Sequence, residues 1–267
     1  MPTLFIFGLG YSAQLLAARL RQHGWTIHAT GSAGDLAFAD APAVRAALAS
    51  ASHVLSSVPP ADGTDPVLAH YGDALHDKWL GYLSSTGVYG DTCGAWVDET
   101  APVVGIGPGT GRRTARAQAD AAWLALDARV FRLPGIYGPG RSALDRVRQG
   151  KAHRIALPGQ VFSRIHVDDI ASGVIAALTA GANAPPGAYN LADDLPCHQN
   201  AVIEQACRLL GLPLPPLQTL DEAGLSPMAR AFYAENRRVA NLKARRLLHW
   251  QPRFPTYAQG LAAIHSA

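Results

Sequence analysis

The sequence predicts an α/β fold built on a parallel sheet, and three observations predict it. Short apolar runs alternate with Ala-rich stretches, the pattern of strand–helix–strand units rather than of a sandwich. The first apolar run passes straight into a glycine-rich turn and then a helical pattern. The composition, 48% hydrophobic with 16% charged residues, supplies a core and excludes a disordered chain and a coiled coil, while 26 Gly without a period exclude collagen.

Taken in order, strands are expected at 3–7 (TLFIF), 25–29 (WTIHA), 53–57 (HVLSS), 79–84 (WLGYLS), 129–133 (RVFRL) and 188–191 (AYNL). Helices are expected between them at 11–23, 41–50, 66–77, 112–126, 141–150 and 168–180, and later at 199–210 and 238–248. In the first helix Leu15, Leu16 and Leu20 follow a helical period, and His23-Gly24 closes it. The Pro-rich stretch 212–216 marks a loop, and no internal repeat or low-complexity linker interrupts the pattern. A length of 267 residues fits one domain over 1–267 with a modest appendage.

Charge is unevenly spread. Residues 1–100 carry 4 Lys+Arg against 9 Asp+Glu, and residues 101–267 carry 19 against 11, so the basic charge lies in the later part. Such a field attracts either nucleic acid or an anionic small molecule. There is no helix-turn-helix or aromatic RNP-like motif and the Arg residues are dispersed, which favours the small molecule. Cys93, Cys197 and Cys207 form no CxxC pair and the His residues no HExxH, so neither a metal site nor a disulfide framework is expected. The apolar N-terminus lacks a positive n-region and is broken by Gly8 and Gly10; with the cysteine pattern, a cytoplasmic protein is expected, without a membrane span.

The turn after the first strand reads Gly8-Leu9-Gly10-Tyr11-Ser12-Ala13, the strand–turn–helix context of a dinucleotide fingerprint. Gly8 permits the tight turn, Gly10 lets backbone approach a pyrophosphate, and Ala13 lets the helix pack close to the strand. The second strand ends in Ala29-Thr30-Gly31-Ser32, without the carboxylate that would bind a ribose 2′-hydroxyl. NADP is therefore favoured over NAD, although no Arg stands beside Ser32 to pair with a 2′-phosphate, and NAD stays open.

Five segments, GLGYSA at 8–13, YLSSTGVYGD at 82–91, WVDETAPV at 96–103, RLPGIYGPGR at 132–141 and FSRIHVDDIASG at 162–173, resemble the extended and atypical short-chain dehydrogenase/reductase superfamily of nucleotide-sugar epimerase/dehydratase type. The tail, with YNLADDLP at 189–196 and the stretch 237–261, is also similar. The resemblance implies a Rossmann-type doubly wound sheet with a small C-terminal substrate lobe, here from roughly 141–165 and 196–267, and a homodimer as a common assembly. It implies that Ser85 binds the substrate oxygen, with Thr86 beside it. Thr30, Ser32, Ser57, Val58 and Pro59 would line the adenine and ribose side, and Leu133, Pro134, Gly135 and Ile136 would meet the nicotinamide.

The same resemblance requires a Tyr-x-x-x-Lys pair at the start of the helix after WVDETAPV, where this chain reads GRRTARAQAD at 111–120. If Asp120 replaces the family's downstream Glu, Arg112 stands at the Tyr and Arg116 at the Lys. A guanidinium with a pKa above about 12 cannot shuttle protons near neutrality, but it holds phosphate, ribose or carboxylate well. Arg116 is thus a cofactor contact and Arg112 a substrate contact. Tyr89, Tyr137 and His166 are the alternative proton carriers, although the resemblance gives all three structural roles; Tyr137 borders the substrate. Asp168 and Asp169 read as caps of the following helix. Arg141 and Arg164 are candidates for gripping an anionic substrate. The expectation is an NAD(P)-dependent oxidoreductase or epimerase/dehydratase-like protein acting on a nucleotide-sugar-like or other anionic carbonyl compound. The alternative is a catalytically impaired, NAD(P)-binding regulatory or redox-sensing protein.

Overall fold

The computed structural model describes residues 1–61, 63–105 and 112–267, with Arg112 and Met228 described by backbone alone. In chain order the elements are β1 (Thr3–Phe7), α1 (Tyr11–Gln22), β2 (Thr26–Ala29), α2 (Ala41–Ser50), β3 (His53–Ser56), α3 (Pro66–Tyr71), β4 (Trp79–Ser85) and β5 (Trp96–Val97). Then follow α4 (Arg112–Ala125), β6 (Arg129–Leu133), β7 (Gly135–Tyr137), α5 (Ala143–Arg148), β8 (Arg154–Ile155), β9 (Arg164–His166) and α6 (Val167–Ala180). The chain closes with β10 (Gly187–Asn190), α7 (Gln199–Leu210), β11 (Leu217–Gln218), α8 (Pro227–Phe232), β12 (Arg238–Val239), α9 (Leu242–Leu247) and α10 (Tyr257–Ser266).

Six strands pair in parallel in the order β2-β1-β3-β4-β6-β10, the expected Rossmann-type sheet. The order reverses at β1, because the chain leaves it outward to β2 and returns to β3 on its other side. Such a switch point opens a crevice beyond the carboxyl ends of the two central strands. Along β1, Leu4 and Ile6 belong to one apolar layer and Phe5 and Phe7 to the other, all fully buried. A strand covered on both faces reads as a continuous apolar run. One layer holds Leu16 and Leu20 of α1 with Ile170 and Val174 of α6; the other holds Leu48 of α2, Tyr71 of α3 and Trp123 of α4. A third cluster, Leu144, Val202, Ile203 and Leu261, joins α5, α7 and α10.

Three expectations are corrected. The helix begun at 66 ends at Tyr71 and tightens into a 3-10 turn over Gly72–Ala74, where Gly72 and Asp73 are poor helix formers. Residues 238–239 are not helical: Arg238 and Val239 pair with Trp96 and Val97, and the helix starts only at Leu242. Asp168 and Asp169 do not cap α6. His166 is its N-cap, accepting from Asp168 N at 3.2 Å, while Asp168 pairs with Arg19 at 2.7 Å and Asp169 accepts from Arg253 N and Phe254 N at 2.6 and 3.1 Å.

Candidate active site at the switch point

The loops after β1, β2 and β3 are laced together. Gly8 takes φ 82°, and a Cβ there would meet Val58 Cγ2 at 3.0 Å and Ser57 Oγ at 3.1 Å. Its N–H donates to Thr30 Oγ1 at 3.1 Å, Leu9 N donates to Thr30 O at 2.7 Å, and Ser57 Oγ donates to Gly8 O. Helix α1 begins after Gly10 with no side-chain cap and no acidic residue in its first turn. A Cβ at Gly10 would meet nothing within 4 Å. The orphan N–H groups and positive dipole end of a twelve-residue helix therefore open onto free space, a ready site for a pyrophosphate. Tyr11 donates to Pro139 O at 3.0 Å, and the Arg141 guanidinium lies over the Tyr11 ring at 5.7 Å, placing a cation beside this helix end. Ser12 is half-buried and Ala13 packs in the core, while Ser32 and Pro59 are exposed on the rim.

The end of β2 is less bare than its four residues suggest. Asp35, brought back by the turn at Gly31–Gly34, accepts from Ala29 N at 2.6 Å and faces His28 Nδ1 at 2.9 Å. Desolvation opposes its charge, but the bonds from His28 and Ala29 outweigh it and hold the carboxyl below its ordinary range. Both carboxylate oxygens of Asp35 are thus engaged by β2 itself.

A cavity of about 400 Å³ lies beyond β4 and β6, lined by Ser85, Thr86, Leu133, Pro134, Gly135, Phe232, Glu235 and Arg237 among others. Ser85 Oγ accepts from Gly87 N at 3.1 Å, which leaves its O–H to donate into the cavity. The flanking Ser84 is engaged elsewhere, donating to buried Asp120 at 2.6 Å. Asp120 takes two bonds from Arg132, at 2.7 and 3.1 Å; Arg132 donates to Tyr89 Oη at 3.0 Å, and Tyr89 donates to Asn190 Oδ1 at 2.8 Å. Burial works against the Arg132 cation, but the Asp120 bonds outweigh it and raise its pKa. This buried chain braces the carboxyl ends of β4 and β6 under the cavity.

The sequence of α4 contains neither Tyr nor Lys. Arg116 donates from Nη1 to Tyr82 Oη at 2.8 Å, and the Tyr82 ring stacks on Trp123 with centroids 5.4 Å apart. Burial pushes the Tyr82 phenol up to about 12 despite that cation. Arg113 pairs with Glu235, while the side chain of Arg112 lies outside the described residues. Burial raises the phenols of Tyr89 and Tyr137 and lowers the imidazole of His166. Because His166 Nδ1 accepts the capping bond, Nε2 carries the proton, and it is buried without a partner among the described residues.

A second cavity of about 400 Å³ adjoins the first through Gly135 and Phe232. It gathers Ile136, Tyr137, Arg141 and Arg164, and adds Arg146, Gln199 and Tyr257, which sequence reasoning missed. Among the described residues buried Arg164 bonds only uncharged groups, including Phe162 O at 2.8 Å and Gln199 Oε1 at 2.7 Å. Asp145, the one acid on this wall among the described residues, is occupied by Ser142 N and Oγ at 2.8 and 2.7 Å. The cavity is therefore electropositive. Among the described residues no three or more His, Cys, Asp or Glu side chains group as a metal site, and no helix is long and apolar enough to cross a membrane.

The architecture is that of the NAD-dependent epimerase/dehydratase fold. It is similar to the dTDP-glucose 4,6-dehydratase of Bacillus anthracis solved with NAD, 16% identical with a TM-score of 0.76 over 100% of this chain and 96% of that one. It is equally similar to the human epimerase family protein SDR39U1 solved with NADPH, 17% identical with a TM-score of 0.76 over 99% of each chain. The chain belongs to the same family as a conserved protein of unknown function from Silicibacter pomeroyi, 42% identical with a TM-score of 0.86 over 100% of this chain and 99% of that one. Among curated proteins, a 3-diazoavenalumate denitrifying reductase of a Streptomyces species is 32% identical over 181 residues, a match spanning 62% of this chain and 58% of that protein. No protein-family model matches the chain.

Proposed function

We propose that the protein is an NAD(P)-dependent oxidoreductase or epimerase/dehydratase-like enzyme acting on an anionic carbonyl compound, of which a nucleotide sugar is one class. The observation that carries this is the uncapped, acid-free N-terminus of α1, open at Gly10 and set at the switch point beside the Ser85 cavity. NAD or NADP would lie from the rim at Ser32 and Pro59, across Gly8–Ala13, to Leu133–Gly135, and would supply or accept a hydride there. Arg141, Arg146 and Arg164 give the adjoining cavity its preference for anions, and the layer of α5, α7 and α10 with α8 would be the substrate side. The solved dehydratase with NAD and epimerase family protein with NADPH support the cofactor class, and the Streptomyces relative's name supports a reductase.

The second reading, a catalytically impaired NAD(P)-binding regulatory or redox-sensing protein, is favoured by the engagement of Arg116 with Tyr82. Calorimetric titration with NADH and NADPH tests the cofactor, and a heat from either is expected. Loss of nicotinamide absorbance over a panel of keto-sugars, nucleotide sugars and keto-acids then separates enzyme from sensor. Turnover that survives Ser85→Ala undiminished would remove Ser85 from the site.

A further inference from the structure

We infer that Arg237, held by Glu235, joins Ser85 as the group that stabilises the developing oxyanion of the substrate, in place of the absent Tyr and Lys. This rests on the oxidoreductase reading above and assigns its reacting end.

Glu235 and Arg237 are the only ionisable side chains lining the Ser85 cavity among the described residues. Both are largely withdrawn from solvent, with side chains 18% and 17% exposed. Arg237 Nη1 donates to Glu235 and to the Gly90 carbonyl, so the guanidinium is anchored at one corner. Its Nη2 and Nε make no hydrogen bond among the described residues, and a guanidinium fixed at one nitrogen presents its remaining donors in a rigid fork. Glu235 also pairs with Arg113, so its carboxylate is held from two sides.

A cation held in a fixed position stabilises charge that develops beside it without reorganising, and it need not exchange a proton to do so. When NADPH is bound it supplies the hydride and leaves as NADP. As a C–H bond forms at the acceptor carbon, the π pair of the C=O bond moves onto oxygen. The resulting negative charge is held by the Arg237 fork and the Ser85 O–H, and the oxygen takes its proton from water. A hydride and one proton are thereby accounted for, the hydroxide left by the water passing to solvent, with no tyrosyl or lysyl carrier. Ser85 and Arg237 touch the reacting oxygen, whereas Glu235 is a positioning residue that acts through Arg237.

The test needs no turnover. Benzoate, whose planar carboxylate imitates the oxyanion, is titrated into the NADPH-bound protein while nicotinamide fluorescence is followed. The wild type is expected to respond. Arg237→Met should weaken benzoate at least roughly tenfold, Arg237→Lys less, and Glu235→Gln to an intermediate degree, with NADPH affinity kept in all three. Where a substrate from the panel turns over, the same variants should lower kcat more than they raise KM, and kcat should show no titrating group between about pH 6 and about pH 9. Benzoate binding that is absent from the wild-type holo-protein, or equal in wild type and Arg237→Met, overturns the inference while leaving cofactor binding intact. Absence of binding by both NADPH and NADH in the wild type instead defeats the oxidoreductase reading, and this inference with it.

Discussion

Asp120 shows how one buried side chain ties stability to the site. It is 1% exposed and faces Arg132, which is 3% exposed, while also taking the Ser84 hydroxyl proton. Removing one partner of a buried pair strands the other charge at a cost of about 3–5 kcal/mol. Asp120→Ala should therefore lower the unfolding free energy measured in urea by an amount of that order, and Ser84→Ala by far less. Asp193 makes the complementary case. Its Oδ2 is buried without a partner among the described residues, and burial, against the Arg164 charge, pushes the carboxyl up to about 8. An unfolded Asp loses its proton near pH 4, roughly four units lower, so between those values the folded state binds more protons and stability falls as pH rises. Asp169, pushed up to about 6 by burial, acts in the same direction below that pH. Asp193→Asn should flatten the decline between about pH 6 and about pH 8.5, seen as urea midpoints that converge less steeply than those of wild type. Identical slopes would mean that Asp193 folds ionised.

At the scale of elements, the two glycines around the β1–α1 turn separate fold from function. Gly8 sits at φ 82° with Val58 and Ser57 at 3.0 and 3.1 Å from a would-be Cβ, so Gly8→Ala should cost at least about 1–2 kcal/mol in left-handed strain alone. Gly10 has ordinary φ, −86°, and open space beyond it. Gly10→Ala should leave the melting temperature unchanged and weaken NADPH by roughly tenfold, about 1.4 kcal/mol, because its methyl enters the space left for the pyrophosphate. Equal NADPH affinity in Gly10→Ala and wild type would place the cofactor elsewhere.

This contrast also marks what the sequence made legible. All six strands of the main sheet stand within one or two residues of expectation, because each is a short run holding at least two buried apolar residues. The paired strands β5·β12, β7·β9 and β8·β11 are two or three residues long, too short to carry a period, and α8 and α10 hide in a tail without a sustained apolar stripe. Within the candidate site, Gly8–Ala13 and Ser85 were named from short contiguous motifs. Arg237 and Glu235 reach the Ser85 cavity across about 150 residues of chain, which no spacing rule reports. The charged run Glu235-Asn236-Arg237-Arg238, directly before a strand, was the available signal.

For the molecule as a whole, the acidic first part carries the Gly8–Ala13 helix end and the later part supplies the arginines of both cavities, so the charge split along the chain becomes a gradient across the crevice. Phe232, at the end of α8, is the wall that the two cavities share, and it also borders a third beside Arg146 and His153. Its ring stacks on Phe162 with centroids 4.5 Å apart, yet it remains 52% exposed. Truncation of a fully buried Phe costs about 3–5 kcal/mol, so a half-exposed one should cost roughly half as much. Phe232→Ala should thus leave the sheet folded while merging the cavities and admitting more water beside Ser85 and Arg237. A cation that acts by holding charge weakens as added water screens it. Turnover by this variant should therefore lose kcat as well as substrate affinity, with NADPH binding preserved, as followed by nicotinamide absorbance and fluorescence titration. A rise in KM with kcat untouched would confine Phe232 to shaping the anion cavity.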